Sequence, residues 1–363
     1  MESHVPSTRL NFPPGGRKLA VRMKYRPLPR TELQLSEIGF GLWTVSTGWW
    51  GQFTEGEAIK LMQRAFDLGI TLFDAADTYG NGLSEELLAK AFPTNRDAIV
   101  IATKVGYNFY DHGNERRGQR EIPHDFSLPF IRRATELALQ RLKTDRIDIL
   151  QLHNIRMEQA QDGTLWELMA ELQKEGKIRS YGAALGPAIG WLYEGLTATQ
   201  THKPQILQHI YNLLEPHPGK QLIEESDADL RHLIRVPHSS GMLEGKYTPE
   251  TVFPPNDHRN HRPRSWLLNG VKKVEQLRFL EGPDRTLGQA ALQWLLADPR
   301  VGSCLPNIYN EEQLVEFAAT SETPRLSVEE MERIAALVAG NFGLEEEAKS
   351  YKGTMTLEPV AAS

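Results

Sequence analysis

The sequence predicts an α/β protein folded as a single (β/α)8 TIM barrel, with an N-terminal hairpin and one extra C-terminal helix. Two observations predict it. Eight short apolar runs alternate with amphipathic stretches along the 363 residues. Such alternation argues for a parallel sheet with right-handed crossovers, and eight strands close a barrel. Three successive runs also end in chemistry-bearing side chains: Asp74 with Tyr79 close behind, then Lys104, then His153. Barrel enzymes carry their sites at the carboxyl ends of their strands.

Residues 1–22, rich in Pro, Gly and Arg, read as an irregular arm, followed by the barrel over 23–343 and a tail over 344–363. Lys24 to Leu28 and Leu33 to Ser36 can pair through Pro29-Arg30-Thr31-Glu32. The first barrel strand is expected over Ile38 to Trp43. A helix follows from Glu55 to Leu68, with Ile59, Leu61, Met62, Ala65 and Phe66 as its apolar stripe and Thr54 and Glu57 at capping-box spacing. Strand two is Thr71 to Phe73 and its helix Ser84 to Phe92. Strand three is Ala98 to Thr103, and its helix follows Ser127. Strand four is Ile147 to Leu152, with a helix from Leu165 to Gln173. Strand five is Ile178 to Leu185, with a helix from Ala188 to Leu196. Strands six and seven are Gln205 to His209 and Leu233 to Val236, the latter with a helix from Thr286 to Ala297. Strand eight is Val301 to Leu305, with helices Glu311 to Ala318 and Ser327 to Val338, the last capped by Ser327 and Glu330. Two long loops, Gly106 to Leu128 and Gly241 to about Arg264, fall on the side where barrels work.

Lys and Arg number 41 against 47 Asp and Glu, a formal charge of −6. This mildly acidic balance speaks against a nucleic-acid partner. No apolar run approaches ~18 residues and no signal-peptide core stands at the N-terminus, so no membrane partner and a cytoplasmic location are expected. The lone Cys304, in an apolar run, cannot form an internal disulfide or a CxxC metal site and reads as a buried strand thiol. No metal ligand set is expected.

Phe73-Asp74-Ala75-Ala76 with Tyr79-Gly80, Ala102-Thr103-Lys104, and Asp148-Ile149-Leu150-Gln151-Leu152-His153 resemble the signature blocks of the aldo-keto reductases. The resemblance runs from about Tyr25 to about Val338. Gly41-Leu42-Trp43 and Gly51-Gln52-Phe53-Thr54 are similar to the bacterial and potassium-channel-β-subunit-like branch. It implies that the N-terminal hairpin plugs the barrel bottom. It also implies an NADP- or NAD-dependent interconversion of an aldehyde, ketone or sugar with an alcohol. Tyr79 is then the general acid, Lys104 the ammonium beside it, Asp74 the partner of Lys104, and His153 the group that orients the substrate oxygen or relays a proton. No side chain donates hydride, so the nicotinamide must.

The cofactor side departs from the family pattern. There is no GxGxxG after a strand, so no Rossmann unit is expected. The resemblance assigns cofactor contacts to Gly41, Trp43, Gln208, Arg235, His238, Ser240, Gly241, Asn307, Asn310 and Gln313. Ala184-Leu185 stand where the family has Ser-Asn on the carboxamide, Arg235 where it has a stacking aromatic, and Phe317 where it has an adenine-side Asn. For Arg235 four readings stay open: stacking on a ring, holding an anion, repelling an oxidised nicotinamide, or pairing with a nearby carboxylate. Trp43, Trp50 and Tyr107 are expected to wall a substrate pocket. The run Asp257 to Arg264 reads as a solvated lid segment. Two alternatives remain: the same scaffold doing proton transfer with nicotinamide tightly held or absent, and a non-catalytic binding subunit like the channel β proteins. The oligomeric state stays open.

Overall fold

A computed structural model describes residues 22–113, 122–186, 191–255 and 257–345. The expected arm over 1–22 and tail over 344–363 fall almost wholly outside the described residues. Lys24 to Ser36 form the expected hairpin, β1 (Tyr25–Pro27) paired antiparallel with β2 (Gln34–Ser36). Eight parallel strands follow: β3 (Phe40–Gly41), β4 (Leu72–Asp74), β5 (Val100–Val105), β6 (Ile147–His153), β7 (Ile178–Ala184), β8 (Ile206–Ile210), β9 (Arg231–Arg235) and β10 (Val301–Leu305), each hydrogen-bonded to the next. Closure comes at the first and last strands, where Ile38 bridges Cys304. The Gly39 N–H donates to the Cys304 carbonyl at 2.9 Å, and the Cys304 N–H to the Glu37 carbonyl at 2.9 Å.

Side chains alternate across each strand, so every second one points into the barrel. The lower interior is apolar: Leu72, Val100, Ala102, Ile149, Ile206, Leu233 and Leu305 pack with Leu28, Leu33 and Leu35 of the hairpin. The hairpin thus plugs the end where the strands begin. Arg26 pins it there, with hydrogen bonds of 2.8 Å to the carbonyls of Asp298 and Val301 and an ion pair to Glu37. Polar inward groups are left to the carboxyl end, where Asp74, Lys104, Gln151, His153, Gln208 and Arg235 stand on the same alternating face.

Outside lie α1 (Trp43–Ser46), α2 (Glu55–Asp67), α3 (Leu83–Ala91), α4 (Phe109–His112), α5 (Leu128–Leu142), α6 (Met157–Gln161), α7 (Gly163–Lys174), α8 (Leu192–His202), α9 (Gly219–Glu224), α10 (Arg264–Glu275), α11 (Leu287–Leu296), α12 (Glu311–Ala318) and α13 (Val328–Ala339). The capping boxes Thr54/Glu57 and Ser327/Glu330 form as expected, and a third forms at Thr286/Gln289. α13 is the extra C-terminal helix. Its Ile334 is buried in a second apolar cluster with Leu280, Leu287 and Phe342, outside the barrel.

Three expectations need correction. Trp43 does not end a strand. The Leu42 N–H makes the last ladder bond, to the Asp74 carbonyl, and the chain then turns back as Val45 and Ser46 donate to the Leu42 carbonyl. α8 (Leu192–His202) runs past the expected end at Leu196; the expected start at Ala188 lies outside the described residues. α9 and α10 were not expected. The apolar face of α10, with Leu267 and Val274, is too sparse to stand out from its Arg and Lys until the second cluster covers it.

Candidate active site

Asp74 is the last residue of β4 and His153 the last of β6, while Lys104 stands one residue before the end of β5. Lys104 is 0 % exposed. An ammonium so placed needs compensation for its lost hydration. Its Nζ donates to Asp74 Oδ2 at 2.7 Å and to the Ala75 carbonyl at 2.7 Å. Asp74 Oδ1 accepts from the Gln208 amide at 2.9 Å and from the Gln151 amide at 3.4 Å. Four strands thus contribute to one charge-compensated network at the barrel mouth.

Tyr79 sits on the turn between β4 and α3. Gly80 follows it at φ +61°, where a Cβ would lie 2.5 Å from the Ser46 carbonyl oxygen, so the turn requires glycine. The Lys104 Nζ lies over the Tyr79 ring, 4.9 Å from its centroid. The His153 ring stands edge-on to Tyr79 at 5.9 Å and edge-on to Tyr107 at 4.8 Å. Tyr107 in turn stacks on His124 and accepts a 2.6 Å hydrogen bond from the Asn154 amide. Tyr79, Lys104, Asp74 and His153, spread over 80 positions of sequence, therefore share one mouth. The ammonium faces the phenol ring, and its hydrogen bonds go to Asp74 and the backbone.

The half of the mouth built from β7 to β10 is organised differently. Arg235 ends β9, and its Nη2 donates to the carbonyls of Leu185 and Gly186 at 2.6 and 2.5 Å, tying β9 to the turn after β7. His238 is buried, bonded to the Gly288 carbonyl at 2.9 Å and packed on Phe317 at 4.6 Å. Burial pushes its imidazole down to about 4, so it is neutral at pH 7. Val236, Ser239, Ser240 and Gly241 all have positive φ, and the Ser240 carbonyl accepts from the Tyr247 hydroxyl at 2.9 Å. Asn310 caps α12 through the Gln313 N–H at 2.8 Å. The Gln313 amide donates to Glu244 at 2.9 Å. Gly41 pairs with Asp74 in the ladder, and Asn307 is half-buried just after β10.

The segment from Asp257 is only partly solvated: Asp257, His258 and Arg259 are half-buried, while Asn260, Pro263 and Arg264 are exposed. Asp257 and Arg259 form an ion pair at 2.5 Å, and the Arg259 guanidinium lies over Trp50 at 4.6 Å. His258 packs against Trp43, Trp49 and Trp50, and its N–H donates to the Trp49 carbonyl at 3.2 Å. Tyr309 stacks on Trp50 at 6.3 Å. Cation–π and ring contacts make this loop part of the packing, so Trp50 is buried rather than left as an open wall.

Sequence reasoning missed Gln151. Its signal was available: a polar residue inside an apolar run, two positions before His153 and so on the same face. It placed Asp77 on the polar turn with Tyr79 but gave no role to it or to Glu85, both fully buried behind that turn. Among the described residues no group of His, Cys, Asp and Glu is placed to hold a metal, and no helix is long and apolar enough to cross a membrane.

A nicotinamide dinucleotide is the cofactor that the resemblance implies. The side chains expected to hold it are committed to the chain itself: Gln208 to Asp74, Arg235 to two carbonyls, His238 to Gly288 and Phe317, Asn310 to its own helix, and Gln313 to Glu244. The first turn of α12 carries Glu311 and Glu312. A dinucleotide held by these side chains would replace intrachain hydrogen bonds worth roughly 1 kcal/mol each.

Comparison with known proteins agrees with the barrel. Residues 37–339 match the aldo/keto reductase family. The uncharacterized oxidoreductase YqkF of Bacillus subtilis (strain 168) is 30% identical over 316 residues, covering 86% of this chain and 95% of that protein. A probable voltage-gated potassium channel subunit beta of Oryza sativa subsp. japonica is 26% identical over 340 residues, covering 87% and 97%. Among solved structures, the holo form of aldo-keto reductase AKR11C1 from Bacillus halodurans superposes with a TM-score of 0.68 at 29% identity, covering 87% and 96%. With a match across most of its length, and relatives spanned nearly end to end, this chain belongs to the aldo/keto reductase family.

Proposed function

We propose that this chain interconverts a small aldehyde, ketone or sugar with the corresponding alcohol, Tyr79 giving and taking the proton at the carbonyl oxygen. Family membership carries the coarser reading, an oxidoreductase of the aldo-keto reductase type that uses NAD(P)(H) on small carbonyl and alcohol substrates. One observation carries the residue assignment: the Lys104 ammonium, held by Asp74 at 2.7 Å, lies 4.9 Å from the Tyr79 ring centroid, with His153 edge-on to the same ring.

Each residue then has a physical task. The ammonium stabilises negative charge that builds on the phenol oxygen as the proton leaves. Asp74, with the Gln208 and Gln151 amides on its second oxygen, holds that ammonium in place. His153 orients the substrate oxygen towards Tyr79, and Tyr107 borders the same space. Hydride is supplied by the dinucleotide in this family; no side chain here can replace it.

The test is turnover of NADPH or NADH with a panel of small aldehydes and ketones, for wild type and Tyr79→Phe. Wild-type turnover that Tyr79→Phe abolishes is expected. Equal rates in the two proteins would refute the assignment. A second reading is favoured by the committed side chains of the β7–β10 half: proton transfer by the same residues, with the dinucleotide tightly held or absent. Identifying by mass any small molecule that accompanies the purified protein separates the two. The channel-like binding subunit rests on sequence similarity alone.

A further inference from the structure

Behind the Tyr79 turn lies a buried cluster that the proposed chemistry does not use. Asp77 and Glu85 are both 0 % exposed. Thr103 donates to Glu85 Oε1 at 2.6 Å, and the Arg141 Nε donates to Glu85 Oε2 at 2.6 Å. Arg141 also donates to the Tyr110 hydroxyl at 3.0 Å, and that hydroxyl donates to Asp77 Oδ2 at 3.4 Å. Asp77 Oδ1 is buried with no hydrogen-bond partner among the described residues. The Asp77 backbone N–H donates to the Lys104 carbonyl at 3.1 Å. Arg133 lies 5.7 Å from the Tyr110 ring centroid, facing the ring.

We propose that Asp77 and Glu85 share one proton and, through Arg141, Tyr110 and Thr103, form a buried positioning unit that holds the Tyr79 turn against the strand carrying Lys104. One guanidinium serves two buried carboxylates, Glu85 directly and Asp77 through the Tyr110 hydroxyl, so one carboxylate is compensated and the other is better neutral. Glu85 has the direct bonds to Arg141 and Thr103. Burial raises both carboxyls, Asp77 well above the ordinary carboxylate range with the charge of Glu85 beside it, and Glu85 against the opposing pull of Arg141 and Thr103. Lys104 and Arg141 add positive charge on the Glu85 side.

The cluster bears on the site through chain geometry. Thr103 and Lys104 are adjacent in β5, so their side chains point to opposite faces. Glu85 lies on α3, whose leading turn carries Tyr79. The Thr103–Glu85 bond and the Asp77–Lys104 backbone bond therefore set the distance between phenol and ammonium from behind. None of these residues touches the reacting atoms, so they are positioning residues. A misplacement of ~1 Å at such a site costs on the order of 100-fold in rate.

This inference rests on the function proposed above, and its test has an arm that needs no turnover. Thermal melts of the full chain between pH 4 and 9 are compared for wild type and Asp77→Asn. The folded state holds a proton that the unfolded Asp releases, so wild type should lose stability as pH rises, and Asp77→Asn should flatten that slope and melt several degrees higher at pH 9. A lower melting point for Asp77→Asn at every pH would overturn the shared proton. The second arm follows NADPH-dependent reduction of DL-glyceraldehyde. Thr103→Val and Glu85→Gln should lower kcat 10- to 100-fold with KM within threefold, and Thr103→Ser should restore kcat. A kcat loss that only tracks the folded fraction, or no rescue by Thr103→Ser, overturns the positioning role. Wild-type turnover no greater than that of Tyr79→Phe overturns the function itself and the positioning role with it, leaving the melts to decide the shared proton alone.

Discussion

The two halves of the barrel mouth use polar side chains in opposite ways. Along β4, β5 and β6, Asp74, Lys104 and Gln151 compensate one another, joined by Gln208 alone from the other half, and the Tyr79 ring and His153 are drawn to the same space. Along β7 to β10, the polar groups fasten the protein to itself: Arg235 to the β7 turn, His238 to α11, Gln313 to Glu244. The first arrangement leaves a phenol beside a buried cation, which is the start of proton chemistry. The second rigidifies a rim. A barrel keeps its scaffold while each strand end is rewritten separately, because the apolar lower layer, not the mouth, closes the sheet.

The contrast breaks most sharply if Tyr79 is dispensable. Tyr79→Phe should lower turnover by a factor of ~10²–10⁴, the usual worth of a general acid, while changing stability little. Turnover and denaturant melts on the same samples check both parts. Next in size, Lys104→Met removes one partner of a buried ion pair and should destabilise by about 3–5 kcal/mol, with Asp74→Asn added in the double variant recovering much of the loss. If Lys104→Met unfolds at the wild-type urea midpoint, the compensated network is not what holds this half together.

The other half is sharpened by acid. Burial pushes His209 and His238 down to about 4 from 6.5. A depressed folded-state value means the neutral form stabilises above pH ~6.5 and that stability is lost as pH falls towards 4. Each group contributes on the order of 3 kcal/mol over that window. Urea unfolding at pH 7.5, 6 and 4.5 should show the loss, and His238→Leu should make it smaller; an unchanged slope would mean His238 is not the buried neutral base it is taken for here. Smaller still is Arg235→Tyr. It releases the Leu185 and Gly186 carbonyls and restores an aromatic, so NADPH should bind about tenfold tighter (~1.4 kcal/mol) by fluorescence titration. No gain in affinity would mean that the clamp is not what opposes the dinucleotide.

Much of this was legible in the chain. Strand–helix alternation, the capping pairs Thr54/Glu57 and Ser327/Glu330, and the strand-end residues Asp74, Lys104 and His153 are local signals, written within a few residues of the element they describe. Alternation along β6 also put Gln151 on the face of His153, though a single amide in an apolar run is easily passed over. Trp43, the loop from Asp257 and α10 were misread for one shared reason. Their surroundings come from distant segments: His258 meets Trp43, Arg259 covers Trp50, and Leu267 is buried only in the second cluster.

What the sequence by itself determined was the order of elements and which side chains stand at the strand ends, because periodicity and capping act over one or two turns of chain. What only the tertiary structure decided was where those side chains direct their bonds. Gln208 turns to Asp74, Arg235 crosses to the β7 turn, and Glu85 directly and Asp77 through Tyr110 come to depend on one Arg141. The physical reason is desolvation. A buried charge or amide must take the nearest complementary group, and that group is set by barrel closure, not by neighbours in the chain.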